Sequence, residues 1–214
     1  MKTAKKYKFT VVATDVAIFT INEGRLKVLL IKMNKKPYEK CWALPGGLVG
    51  PEESVDAAAS RHLYKKTGLK KAYLDQFHTF GDVGRDVFGR VVSVAYLALL
   101  PSTNLKLETT SEYDDIGWFS VSKLPVLAYD HAEIVKKAIE TIRQRLVSSN
   151  IAFSLLPSEF TLGQLQKVYE AILGERLDKR NFRKKYLSLG LIEETKQMTS
   201  GAAHRPAILY RFKK

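Results

Sequence analysis

Hydrophobic positions along the chain fall into runs of two kinds, separated by polar punctuation. Residues 9–21 (FTVVATDVAIFTI) are β-branched and apolar, the pattern of a central strand. The turn Asn22-Glu23-Gly24 leads to a second run over 26–31 (LKVLLI), so the pair predicts a hairpin. A polar loop over 32–40 then gives way to Trp42, Pro45 and a Gly-Gly loop that enters a helix opening near Ser54 and closing at Gly68. Glu52, Glu53, Ser54 and Asp56 suit a helix N-terminus, and Gly68 suits the left-handed position after its end. Residues 73–80 predict a strand, 81–90 a glycine-rich loop, and 91–100 (VVSVAYLALL) a strand buried on both faces. Residues 101–115 are polar and acidic and predict an exposed loop, followed by a short strand over 116–121. A helix follows over 132–146, with Ala132, Val135, Ile139, Ile142 and Leu146 on its buried face. Asp130 and His131 open that helix, and His131 reads as a helix-start residue and not a ligand.

Beyond residue 147 the pattern changes, with a partly anchored linker predicted over 148–157. Thr161 and Gln164 carry a capping-box signature. The helix they open buries Leu162, Leu165, Val168, Tyr169, Ile172 and Leu173 and stops at Gly174. Asp178 caps a second helix over 179–189, closed by Gly190, with Phe182, Tyr186 and Leu189 as its apolar positions. Its other face carries Lys179, Arg180, Arg183, Lys184 and Lys185, and Asn181 of the same helix is a further candidate for reading bases. Two strands around a loop follow, with Gly201, His204 and Arg205 at the tip. Two helices and a β-hairpin of this kind predict a winged helix. Basic side chains on the second helix, and His204 and Arg205 in the wing, are the candidate DNA-binding residues. Lysines and arginines neutralise phosphates, and arginine or asparagine reads base edges bidentately.

Charge sharpens this picture. The chain of 214 residues has a formal net charge of +13, which makes polyanions plausible partners. Residues 151–214 carry 12 Lys+Arg against 6 Asp+Glu, so the tail is about twice as basic per residue as the rest. No apolar run approaches the ~20 residues needed to cross a bilayer. The N-terminus MKTAKKYKFT lacks the apolar centre of a signal peptide, and Cys41 is the only cysteine. Both point to a reducing, cytoplasmic setting and to no membrane partner.

The candidate chemistry lies in residues 46–69 (GGLVGPEESVDAAASRHLYKKTGL). The spacing Gly, five residues, Glu, seven residues, Arg-Glu-aliphatic, one residue, Glu-Glu, one residue, Gly, aliphatic is that of the Nudix box. Gly47, Glu53, Arg61, Leu63, Gly68 and Leu69 fall where the pattern asks, so this stretch resembles the box. Its other three glutamates are replaced by His62, Lys65 and Lys66. Those positions share one helix face, where carboxylates would hold Mg²⁺. Ammonium groups cannot ligate a hard cation, so no metal, no cofactor and no catalytic residue is assigned.

Box and tail together are similar to the Nudix-related transcriptional regulators of bacteria (NrtR type). The likeness is most specific over 81–100 (GDVGRDVFGRVVSVAYLALL) and 155–182 (LLPSEFTLGQLQKVYEAILGERLDKRNF). It implies an α/β fold, a Nudix-type α/β/α sandwich followed by a C-terminal winged helix-turn-helix domain. The expected division is a sensing domain over 1–147, a linker over 148–157 and a DNA-binding domain over 158–214. The resemblance further implies a homodimer on double-stranded operator DNA, with ADP-ribose, a related nucleotide or a pentose sugar as effector. Lys65 and Lys66 are candidate fixed cations for a phosphate in place of Mg²⁺, with Arg85, Arg90 and Glu53 as further effector-binding candidates. The two arginines read equally well as loop-anchoring ion pairs. The main rival is an active Nudix hydrolase acting on ADP-ribose or a nucleoside diphosphate through Glu52, Glu53, Glu108 or Glu112. A third reading is an RNA-processing protein whose basic tail docks RNA.

Overall fold

The computed structural model describes residues 7–67, 73–101, 107, 113–199 and 206–213. Gly68, Leu69, Glu108, Glu112, Gly201, His204 and Arg205 lie outside the described residues. The first half is built on β1 (Tyr7–Asn22), which sits centrally in a seven-stranded mixed sheet. β1 turns at Glu23 and Gly24, both with positive φ (53° and 69°), into β2 (Arg25–Met33). Two consecutive positive φ angles make the type I′ turn whose twist matches the paired strands. β3 (Trp42–Ala43) and β4 (Gly46–Leu48) carry the chain into α1 (Val55–Thr67). β5 (Tyr73–Phe80) pairs antiparallel with β6 (Gly89–Leu99), and β6 runs parallel to β1 with Val12 opposite Val92 and Phe19 opposite Leu99. β7 (Tyr113–Ser120) pairs with β2. Tyr113 to Asp115, expected in a loop, therefore belong to a strand: Tyr113 lies opposite Met33 and Asp115 opposite Lys32, and this pairing overrides their polar neighbourhood.

Alternation along β1 separates two cores. Val16 and Ile18 pack with Ala59 and Leu63 of α1, and with Leu29 of β2. Ala17 and Phe19 face the other way, toward Ile134, Val135, Ala138 and Ile142 of α2 (His131–Ser148). A sheet between two helical layers is the expected sandwich. Within α2 the buried stripe is shifted from the expected one. Ala132 is exposed, and Ile134 and Ala138 are buried, because the helix starts at His131 and that register turns them inward.

After α2 the chain forms a 3₁₀ turn, η1 (Ile151–Leu155), with Ile151, Ala152 and Leu155 buried. These residues join the same apolar cluster as Leu146 of α2 and Phe160, Leu165 and Ile172 beyond. The capping box of α3 (Leu162–Leu173) forms as expected: Thr161 Oγ1 accepts from the Gln164 amide at 3.1 Å, and the Thr161 amide donates to Gln164 Oε1 at 2.7 Å. Gly174 ends the helix in the left-handed region at φ 79°. Asp178 caps α4 (Lys179–Ser188) through the Asn181 amide at 2.8 Å. β8 (Ile192–Met198) and β9 (Ile208–Phe212) form the hairpin, and Phe160 exchanges both backbone hydrogen bonds with Tyr210, adding a third strand position. Leu189, expected in the buried face of α4, is 49% exposed because α4 ends at Ser188 and Leu189 is already its cap.

Candidate effector pocket and nucleic-acid interface

The box helix α1 opens with Ser54 Oγ accepting from the Ala57 amide at 3.1 Å. Glu53 is held in place by Arg61, which donates to both carboxylate oxygens at 2.5 and 3.0 Å, and by the Gly50 amide at 2.7 Å. The Arg61 hydrogen bonds, with the Gly50 amide, hold the Glu53 carboxyl well below its usual range, at about 2. His62 lies under Gly47, where an added Cβ would come within 2.9 Å of its Cε1, and the +157° φ there also favours glycine. Burial first, and Arg61 nearby, push the His62 imidazole down to about 4, so the ring is neutral at pH 7. Lys65 is exposed, whereas Lys66 is only 4% exposed, with Nζ 3.7 Å from the centre of the Tyr113 ring. The face that would present three carboxylates in the box thus presents a neutral imidazole, a solvated lysine and a lysine covered by an aromatic ring. This donor set does not fit Mg²⁺. Among the described residues no group of three or more His, Cys, Asp or Glu side chains could hold a metal ion.

A pocket of about 230 Å³ opens beside this helix, with Gly46, Gly47, Tyr113, Tyr129, Asp15 and Arg85 in its wall. Its floor is an ionic network. Arg85 grips Asp130 with two hydrogen bonds of 2.6 and 2.7 Å and reaches Asp15 Oδ2 at 3.3 Å. Ser93 Oγ donates to the same Asp15 oxygen at 2.6 Å. His131 Nδ1 accepts from the Leu44 amide at 2.8 Å, which leaves Nε2 to carry the proton toward Asp15 Oδ1, 3.4 Å away. Burial acts to raise the Asp15 carboxyl, but His131, Ser93 and Arg85 outweigh it and hold it at about 2. Tyr129, at φ 53°, sets its ring 4.2 Å from that of Tyr38 and 5.1 Å from that of His131, centre to centre. An aromatic edge above a rigid charged floor can stack a flat ring and orient polar groups around it.

The five effector candidates are not brought together. Arg85 lies in the pocket, bound to two aspartates. Arg90 donates to the carbonyls of Gly81 and Asp82 at 2.5 and 3.2 Å and anchors the loop. Glu53, Lys65 and Lys66 sit on or beside α1, and none of the three lines the pocket, though Lys66 lies against the Tyr113 ring that does. Sequence reasoning missed Asp15, Asp130 and His131. The available signal was Asp15 itself, a lone carboxylate inside an apolar β-branched strand.

In α4, Phe182 and Tyr186 are buried against Tyr169 of α3, with ring centres 5.5 and 5.0 Å from it. That packing turns all six basic and amide candidates of the helix to solvent. At about 100° per residue they divide three ways. Lys179 and Arg183 flank a groove shared with the start of α3 and with Met198 and Ile208 of the wing. Arg180 and Lys184, one turn apart, stand outermost. Asn181 and Lys185 turn toward the last turn of α2. An exposed basic helix beside a hairpin, with its apolar side locked inward, is the geometry that enters a major groove.

The NUDIX domain family matches residues 11–141, and the NrtR DNA-binding winged helix domain matches residues 152–212. The chain is 36% identical over 210 residues to the ADPR responsive transcriptional repressor NtrR of Acinetobacter baylyi, covering 96% of this chain and 83% of that protein. The chain belongs to the NrtR-type Nudix regulators. Its fold also matches the crystal structure of Shewanella oneidensis NrtR complexed with a 27mer DNA, at a TM-score of 0.80 and 30% identity over 94% of this chain and 93% of that one. The NUDIX domain of the same Shewanella protein, complexed with ADP ribose, matches at a TM-score of 0.57 and 30% identity over 64% of this chain and 90% of that one. Members of this family couple a Nudix fold to a DNA-binding winged helix, and both halves are present here. Among the described residues no helix is long and apolar enough to cross a membrane.

Proposed function

We propose that this regulator binds operator DNA through α4 and the wing, and that its Nudix half senses ADP-ribose without hydrolysing it. The observation that carries the sensing reading is the replacement of the metal face of α1: with His62 neutral and Lys66 against Tyr113, the half keeps a pocket with aromatic walls and has no carboxylates at the positions that would hold a hydrolase's cation. Two relatives support the choice of ligand, the Acinetobacter repressor by its ADPR response and the Shewanella NUDIX domain by its ADP ribose complex. Tyr113 and Tyr129 supply stacking surfaces for a base, which favours a nucleotide over a pentose alone. The working division is a sensor over 1–147, a linker over 148–157 and a reader over 158–214, acting as a homodimer on a two-fold operator.

Calorimetry with ADP-ribose in the presence of a chelator tests the sensing half: binding is expected without divalent metal, and binding that requires Mg²⁺ overturns it. Arg183→Ala tests the reading half. It is expected to weaken specific DNA binding by about 1–3 kcal/mol and to relax sequence preference. Equal affinity of the wild type for every duplex at moderate salt would leave no specific reader to impair.

A further inference from the structure

Helix α2 reaches from the pocket to the reading domain. At its start Asp130 holds Arg85, and His131 holds the Leu44 amide and faces Asp15. The helix is 18 residues long, about 27 Å at 1.5 Å per residue. Near its far end the Leu146 carbonyl accepts a hydrogen bond from the Tyr169 hydroxyl at 3.3 Å. The Tyr169 ring in turn meets that of Tyr186, which belongs to α4, edge-on with centres 5.0 Å apart. A second tether runs from Arg143 Nε of α2 to the Ile172 carbonyl at the end of α3, at 3.1 Å. Beside these tethers lies a cavity of about 600 Å³, walled by Leu146, Tyr169, Phe182 and Tyr186, with Asn181 and Lys185 at its rim. Close-packed interfaces resist small displacements, so a joint with packing on one side and open volume on the other is where a rigid body can tilt.

We propose that α2 is the strut that carries the state of the pocket to the DNA-reading helix, and that the path from the Leu146 carbonyl through the Tyr169 hydroxyl and ring to the Tyr186 ring is its coupling. The proposal rests on the effector reading above only for the identity of the ligand that disturbs the pocket. A ligand that takes up bonds from Asp15, Arg85 or His131 loosens the start of α2. A helix moves as a unit over this length, so the displacement reaches Leu146, and the two tyrosines pass it to α4. Asn181 and Lys185 then change their orientation as α4 tilts over the cavity. Tyr169 and Tyr186 act here as positioning residues, since Tyr169 bonds to α2 through its hydroxyl and meets Tyr186 through its ring.

Hydrogen exchange of the full chain, read by mass spectrometry, tests the strut without any ligand. His131→Gln is expected to raise exchange of the α4 amides at least about threefold, and adding Tyr169→Phe to reduce that response below about 1.5-fold. If circular dichroism shows that His131→Gln does not fold, Asp130→Asn disturbs the same network from its more exposed side. A folded variant that leaves α4 at its wild-type exchange rate overturns the proposal. So does an α4 response that persists undiminished with Tyr169→Phe. ADP-ribose added to the wild type forms a separate arm. If it fails to bind, the effector reading falls, and the strut is still decided by the variants.

Discussion

Helices α1 and α4 both carry lysines in their C-terminal halves, and they use them in opposite ways. In α1, Lys66 is folded inward over β-sheet residues and covered by Tyr113, and the neighbouring His62 is buried and neutral. In α4 the inward positions belong to Phe182 and Tyr186, so every basic side chain is left to solvent. The difference is decided by what each helix must cover. α1 lies on a broad sheet, through Ala59 and Leu63. α4 caps a small aromatic cluster that two residues suffice to fill. A lysine on a helix therefore means nothing for function until the neighbouring surface is known.

The largest test of this contrast is the aromatic lock of α4. Phe182→Ala is expected to lower stability by about 3–5 kcal/mol, the cost of truncating a buried phenylalanine and leaving a cavity. DNA binding should be lost with it, because the basic face is oriented only by that lock. Urea unfolding of the full chain measures the first, and a salt-controlled binding assay the second.

A somewhat smaller effect is expected from His62. Its imidazole is pushed down to about 4 in the folded chain from an ordinary 6.5. The unfolded chain therefore takes up the proton first as pH falls. Stability from this residue is complete above about pH 6.5, declines between 6.5 and 4, and changes no further below. The total is about 3 kcal/mol, from 1.36 kcal/mol per unit. The difference between wild type and His62→Gln isolates it from Asp15 and Glu53, which titrate lower. A flat difference across that window would mean that His62 is hydrated in solution.

The smallest effect compares one lysine from each helix directly. Lys184→Ala should weaken binding to all duplexes alike and reduce the salt slope by about one unit. Lys66→Met should leave that slope unchanged, since its ammonium is covered by Tyr113. An altered slope with Lys66→Met would place that charge at the DNA and erase the contrast.

Local patterns were enough for much of this molecule. Continuous apolar, β-branched runs determined β1, β2 and β6, and Asn22-Glu23-Gly24 determined the hairpin between the first two. Capping residues determined α3 and α4, because Thr161, Gln164, Asp178 and Gly174 act on backbone groups within one turn of themselves. The box spacing and the loss of its three carboxylates were likewise legible, since ligand chemistry follows from residue type. Tertiary structure alone decided where those residues face. Asp15, Arg85, Asp130 and His131 are separated by up to 116 positions and meet only because the start of α2 and the loop before β6 both reach Asp15 in the middle of β1. The same holds for Lys66, whose charge is covered by a ring 47 residues away. It also holds for Asn181, which α4 turns toward α2 because Phe182 and Tyr186 set its rotation. Spacing along a chain fixes which side chains share a face; only packing determines what that face meets.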